Sequence, residues 1–136
     1  VELLIYKNME YLFLAGRILY AGMLLMLVSA HFFAYKNMVG YATMKKLPMP
    51  EVAVLVSGLV MTAGALGVLL GVYTQIALWL IVIFLVPTAF LMHNYWTVAD
   101  PMAKMGEMVN FNKDIALAGA ALMMLMIPTP WVLSVM

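Results

Sequence analysis

Only two side chains of this 136-residue sequence change charge near neutral pH, His31 and His93. Each closes an apolar run and opens onto aromatic residues, as His31-Phe-Phe-Ala-Tyr35 and as His93-Asn94-Tyr95-Trp96. Glu51 and Asp114 each open the apolar run that follows, and Asn110, Asn112 and Lys113 stand beside Asp114. A histidine can exchange a proton with a ligand oxygen. Lys113 or the asparagines can donate hydrogen bonds, and Trp96 or Tyr95 can stack on a ring. Such a set suits the head of a quinone, a lipid or a haem. A quinone asks least: a donor to each carbonyl, one proton-exchanging group and an apolar slot. Haem would need His31 and His93 as axial ligands, a geometry that spacing does not supply. The competing reading is a belt of polar and aromatic residues at a membrane interface.

Arg17 stands apart, about two turns inside the first apolar run. An arginine within a membrane is costly unless it reaches headgroups or finds a partner. No acidic residue lies at comparable depth in another run, so backbone carbonyls, lipid phosphate or a bound ligand are its candidate partners. Extension to the near headgroups is the simplest expectation.

The elements that must carry these residues follow from composition. Hydrophobic residues make up 67% of the chain and charged residues 10%, with a mean hydropathy of +1.06. A soluble domain carries about 25% charged residues, so this chain could not cover a globule with polar surface. The expected fold is all-α, a polytopic membrane protein built as a four-transmembrane-helix bundle in a single domain, 1–136. Its spans are placed at 11–33, 51–70, 75–92 and 114–134, each near the 20 residues a crossing requires. Residues 1–10 could form an interfacial helix. Val28-Ser29-Ala30 resembles a cleavage site after an apolar core, but 11–33 is read as a retained span, and the opening valine suggests processing or an earlier start.

Residues 35–50 and 93–113 form two long loops in this reading, punctuated by Pro48, Pro50 and Asp100-Pro101. Pro50-Glu51 suits a helix first turn. Residues 71–75 make a short turn, so spans two and three form a tight hairpin, and Pro87 should kink span three. Ala63, Gly67 and Gly71, with Gly64 beside them, let helices approach closely in lipid. Trp131 suits an interfacial anchor. The long loops hold Lys36, Lys45, Lys46, Lys104 and Lys113, which places them in the cytoplasm by the positive-inside rule and both termini outside.

Other chemistries are excluded or disfavoured. A net charge of +1 gives no footing for nucleic acid, and the absence of cysteine removes disulfides, thiolate ligands and cysteine-held clusters. The fifteen methionines are scattered, which suits a malleable helix surface rather than a copper site, so no metal is expected.

Five stretches in order carry a family resemblance: Gly16-Arg17-Ile18-Leu19, Ser29-Ala30-His31-Phe32, Leu47-Pro48-Met49-Pro50, Met92-His93-Asn94-Tyr95-Trp96, and the run from Asn110 to Gly119, NFNKDIALAG. Together they resemble the DoxX family (DoxX/DoxD-like) of small four-helix integral membrane proteins, across nearly the whole chain. The HNYW and NFNKDIALAG stretches are its most specific part. The resemblance implies a redox connection in the plasma membrane of a prokaryote. Relatives include the membrane part of an archaeal thiosulfate:quinone oxidoreductase and a bacterial protein that assembles with oxidative-stress enzymes. Two departures stand out. Family members often carry an acidic residue where this chain has Met61-Thr62, and usually have asparagine where it has Asp114.

The expectation is therefore a membrane subunit of a redox complex, in contact with quinone and with other membrane-protein subunits, without a redox centre of its own. Any activity would be quinone-linked oxidoreduction within that complex. His31, His93, Asn94, Trp96, Lys113 and Asp114 would line the cofactor site, with Arg17 an outlying candidate. The alternative is a structural accessory subunit that packs through the Ala63, Gly67 and Gly71 face and Met-rich surfaces onto a larger membrane enzyme. A channel or carrier ranks third, since only Arg17 interrupts the spans with charge.

Overall fold

A computed structural model describes residues 1–135. Five α-helices and one 3-10 turn occur among them: α1 (Glu2–Phe33), α2 (Tyr35–Met44), α3 (Pro50–Leu70), α4 (Thr74–Met92), the 3-10 turn Tyr95–Thr97, and α5 (Pro101–Met124). The chain is all-α, as expected, but the helix count is five rather than four.

The differences lie in the two long loops. Residues 35–44 form a helix, because no proline occurs between Ala34 and the Lys46 to Pro50 corner and a single glycine, Gly40, costs only about 1 kcal/mol. Lys46 and Met49 there adopt left-handed φ values of 60° and 49°, and Pro50 restarts the chain as α3. In the second loop the Asp100 carboxylate accepts the Ala103 N–H at 2.9 Å, capping a helix that begins at Pro101, well before Asp114. That helix ends at Met124, and residues 125–135 turn back without forming another. At the start of the chain, residues 2–10 are continuous with the first span rather than a separate helix.

Three helical segments are long and apolar enough to cross a membrane: Glu2–Phe33, Pro50–Leu70 and Thr74–Thr97. α5 is not among them. Its first fourteen residues include Lys104, Glu107, Asn110, Asn112, Lys113 and Asp114, and the apolar helical stretch that follows, 115–124, spans about 15 Å, short of the roughly 30 Å hydrocarbon core.

α3 packs on α1 and α4, and α4 packs on α5. The Tyr20 hydroxyl closes the ring of helices by donating from α1 to the Leu117 carbonyl of α5 at 2.7 Å. The core between them is small and branched, including Ala21, Leu24, Ala65, Leu78, Ile81 and Ala121. Gly67 sets the approach of α3 to α4, since a Cβ there would stand 2.5 Å from the Ala77 Cβ. Gly64 meets Ala77 and Ile81 in the same way. The close-packing face is therefore Gly64 and Gly67, turned inward, whereas Ala63 is exposed. Pro87 sits inside an unbroken α4 and leaves the Ile83 carbonyl without its helical donor.

Arg17 explains the far end of α3. The last carbonyls of a helix have no intrahelical donor and carry the negative end of its dipole. Gly71, at φ 73°, turns the chain so that its N–H and that of Val72 reach the Gly67 carbonyl. Arg17 takes the next two, Nε donating to Val68 O at 3.1 Å and Nη2 to Leu69 O at 2.7 Å. The Val135 N–H takes the fourth, Leu70 O, at 3.0 Å. Nη1 of Arg17 donates to Val132 O and Leu133 O at 2.7 and 3.2 Å, tying the C-terminal segment to the same point. Phe13 and Trp131 flank the guanidinium, their ring centroids 5.8 and 5.9 Å away. The side chain is 3% exposed. It is bound inward to carbonyls rather than extended to headgroups, because the open end of α3 lies within its reach.

Candidate functional site

Away from the Arg17 clamp, α1, α2, α3, α4 and α5 enclose a cavity of about 720 Å³. Its walls are mostly apolar, with Leu24, Val56, Val60 and Ile83 among them, and its polar groups are His31, Tyr41, Ser57, Thr88, His93, Asn110, Lys113 and Asp114. Ligand sites are commonly of this size and character.

His31 reaches the cavity from the last turn of α1. Its ring lies 5.7 Å from that of Phe84, and α3 comes close at Gly58, where a Cβ would stand 2.9 Å from the His31 Cβ. His31 is 8% exposed, and its Nδ1 has no hydrogen-bond partner among the described residues. A buried polar atom left unpaired is costly, which marks the spot as one where a ligand or water would be held.

His93 follows the last residue of α4, where its N–H closes the helix on Ala89 O at 3.2 Å. Its imidazole stands between two carboxylates of α5. Nδ1 donates to Glu107 Oε2 at 2.7 Å, and Nε2 lies 3.6 Å from Asp114 Oδ2. The seven-residue interval brings both acids to one face of α5, two turns apart. Glu107 also lies 2.7 Å from the Tyr41 hydroxyl on α2, which in turn lies 2.9 Å from Met92 O. Burial pushes the Glu107 carboxyl up, but its hydrogen bonds from Tyr41 and His93 and the charges of His93 and Lys45 outweigh that and hold it below its usual range. The Tyr41 phenol is pushed up by burial, then by its hydrogen bond to Glu107 and that group's charge.

The cavity thus brings together His31, His93, Lys113 and Asp114 of the expected site and adds Asn110. Three expected residues stay outside it. Asn94 accepts from Lys45 Nζ at 2.9 Å, pinning the end of α2 to the turn after α4. Trp96 is half exposed and packs with Phe90, Tyr95 and Phe111, because the 3-10 turn carries it away from the cavity. Arg17 is committed to the carbonyls described above. Glu51 is exposed and Asn112 points outward on α5.

Sequence reasoning missed Tyr41 and Glu107. The signal for Glu107 was present: starting α5 at the Asp100-Pro101 cap places Glu107, Asn110 and Asp114 on one helical face. Tyr41 had no comparable signal while residues 35–44 were read as loop.

Neither curated proteins nor solved structures gave a match to the chain. The DoxX family model matches residues 12–94, from the start of the first apolar run to the Asn94 of the HNYW stretch, and leaves α5 with its NFNKDIALAG run outside. With that match covering more than half of the sequence, and with three helices long and apolar enough to cross a membrane, the chain is a membrane protein that belongs to the DoxX family.

Proposed function

We propose that this chain is a membrane subunit of a redox complex that holds a quinone head in the cavity between His31 and His93. The observation that carries the reading is the pairing of an unpartnered, buried His31 with a carboxylate-bound His93 in the wall of one largely apolar cavity. The residues present fit such a group. Histidine can meet a quinone oxygen, Lys113 and Asn110 can donate hydrogen bonds, and Leu24, Val56, Val60 and Ile83 offer an apolar slot for a tail. When bound, the quinone supplies the electron-carrying chemistry that the chain's own side chains lack.

His93 suits a hydrogen-bonding role better than an iron ligand, since Nδ1 is engaged by Glu107 and Asp114 lies beside Nε2. The accessory-subunit alternative loses two glycines of its stated face and keeps Ala63 and exposed methionines such as Met23, Met26 and Met123. Gly67 is packed against Ala77, and Gly71 against Arg17, so neither is free to receive a partner. In this proposal the polar half of α5 lies at the cytoplasmic face of a prokaryotic plasma membrane. The apolar end of α5, residues 115–124, lies in the membrane beside α4, and the lysines of the long connections set the orientation.

The test is gentle purification of the native protein, with mass spectrometry of co-purifying subunits and of extracted quinones. A redox partner with stoichiometric quinone is expected. His93→Ala should then abolish quinol turnover of the assembled complex while assembly survives. A silent His93→Ala in an intact, quinone-free complex would refute the reading.

A further inference from the structure

We infer that Glu107 and Tyr41 form, with His93, a proton relay that leads from the cavity to the face of the molecule where α2 and α5 meet. The inference rests on the quinone reading and concerns how protons reach or leave that same site. His93, Tyr41 and Asp114 line the cavity, but Glu107 does not. It stands behind the histidine, bonded to His93 through Oε2 and to Tyr41 through Oε1, both at 2.7 Å, with its side chain 18% exposed. A proton entering at His93 therefore has a bonded acceptor on the far side of the ring, and that acceptor touches solvent.

The atoms balance as a pure proton transfer. His93 receives the proton at Nε2 and gives the one on Nδ1 to Glu107 Oε2. The donor's O–H bond breaks with its electron pair left on oxygen, Nε2–H forms, Nδ1–H breaks and Oε2–H forms. Asp114 Oδ2, 3.6 Å from Nε2, stabilises the imidazolium between these events. The reverse sequence delivers a proton to the cavity.

Tyr41 responds to the same proton. Its hydroxyl has one hydrogen and two acceptors in reach, Glu107 Oε1 at 2.7 Å and Met92 O at 2.9 Å. An ionised Glu107 draws that hydrogen to Oε1. A neutral Glu107 releases it to the Met92 carbonyl. The charged and titratable groups around the pair are Tyr41 and Lys45 on α2, His93 after α4, Lys113 and Asp114 on α5, and His31 across the cavity on α1. Lys45, held on Asn94 at 2.9 Å, favours return of Glu107 to the ionised form through its charge. Glu107 stands outside the cavity and acts as the relay group, and Tyr41, which lines the cavity, acts on the proton through Glu107 as a positioning group.

The test is infrared difference spectroscopy of the whole chain in lipid nanodiscs, with decyl-ubiquinone as the probe and an electrode supplying the electrons. Wild type should show bands of bound quinone together with a carboxyl band that changes as the probe is reduced and reoxidised. Glu107→Gln, which keeps an oxygen to accept from Nδ1, should lose the carboxyl band and keep the quinone bands. Tyr41→Phe should shift the carboxyl band, because the hydroxyl on Oε1 is gone. If Glu107→Gln does not fold, Tyr41→Phe decides. Quinone bands with the carboxyl band absent, or unmoved by the substitutions, overturn the relay and leave the quinone reading standing. Wild type without any bands of bound quinone removes both.

Discussion

Replacing Arg17 by methionine keeps the length of the side chain's stem and removes the donors that it supplies at the end of α3. Four carbonyls lose a partner: Val68, Leu69, Val132 and Leu133. Hydrogen bonds to a charged group each contribute about 1.5–3 kcal/mol, and a buried acceptor left unpaired costs about 1–3 kcal/mol. The two carbonyls of the C-terminal segment can turn to water as that segment frays, so the lasting cost falls on Val68 and Leu69. The expected loss is about 3–5 kcal/mol, a large share of the roughly 5–15 kcal/mol that holds a typical domain folded. Equilibrium unfolding in mixed micelles measures it. Near-ultraviolet dichroism gives a local reading, because Trp131 packs edge-on to Phe13 at 5.3 Å beside the guanidinium. Arg17→Lys keeps the charge but concentrates its donors at one atom, so it should recover less than half of the loss. A methionine variant within about 0.5 kcal/mol of wild type would refute the clamp, and so would full rescue by lysine.

Other perturbations follow from the same geometry. Gly67→Leu forces atoms into the space held by Ala77, 2.5 Å from where its Cβ would stand, and should destabilise the α3–α4 hairpin by about 3 kcal/mol or more in the same unfolding assay. Asp100→Ala removes the cap of α5 and should cost about 0.5–2 kcal/mol, with faster amide exchange confined to the first turn after Pro101. The acid limb of stability should contain a Glu107 component. Its carboxyl is held below the usual range in the fold, so its contribution is complete above the ordinary glutamate pKa of about 4.3 and is lost as pH falls through the depressed value. Glu107→Gln should flatten that limb, read as midpoint temperature against pH, and an unchanged limb would contradict the hydrogen bonds assigned to Glu107.

The first three spans, the α3–α4 hairpin and the histidines at helix ends were legible because hydropathy and punctuation report directly on burial in lipid. The long connections were misread for a physical reason. Tyr35–Met44 and Pro101–Lys113 are polar enough to look like loops on a hydropathy scale, yet each holds only a single internal glycine and no internal proline, and Asp100-Pro101 starts the second as a capped helix. Reading caps ahead of hydropathy would have moved the start of α5 to Pro101 and put Glu107 on the face of Asp114. Arg17 was legible as an anomaly but not as a clamp. Its partners are backbone carbonyls 51 to 116 residues away, and carbonyls leave no trace in a sequence. The inward turn of Gly64 and Gly67 was hidden for a related reason, since four-residue spacing marks a face but not the neighbour it meets.

The two ends of the molecule are held by different chemistry, and that difference bears on function. Around Arg17 the chain is fixed by a permanent charge bonded to four carbonyls, with a packed aromatic on either side. An arginine does not lose its proton in a protein, so this end does not respond to pH. Around the cavity, α2 is held to its neighbours by side-chain bonds whose strength depends on a proton: Tyr41 on Glu107, and Glu107 on His93. Lys45 on Asn94 and the Tyr35 hydroxyl on Glu51 O add two weaker ties. Neutralising Glu107 weakens two of these bonds together, because both draw their strength from the same carboxylate charge. The end that carries His31, His93 and the cavity is therefore the end whose stability a proton can alter.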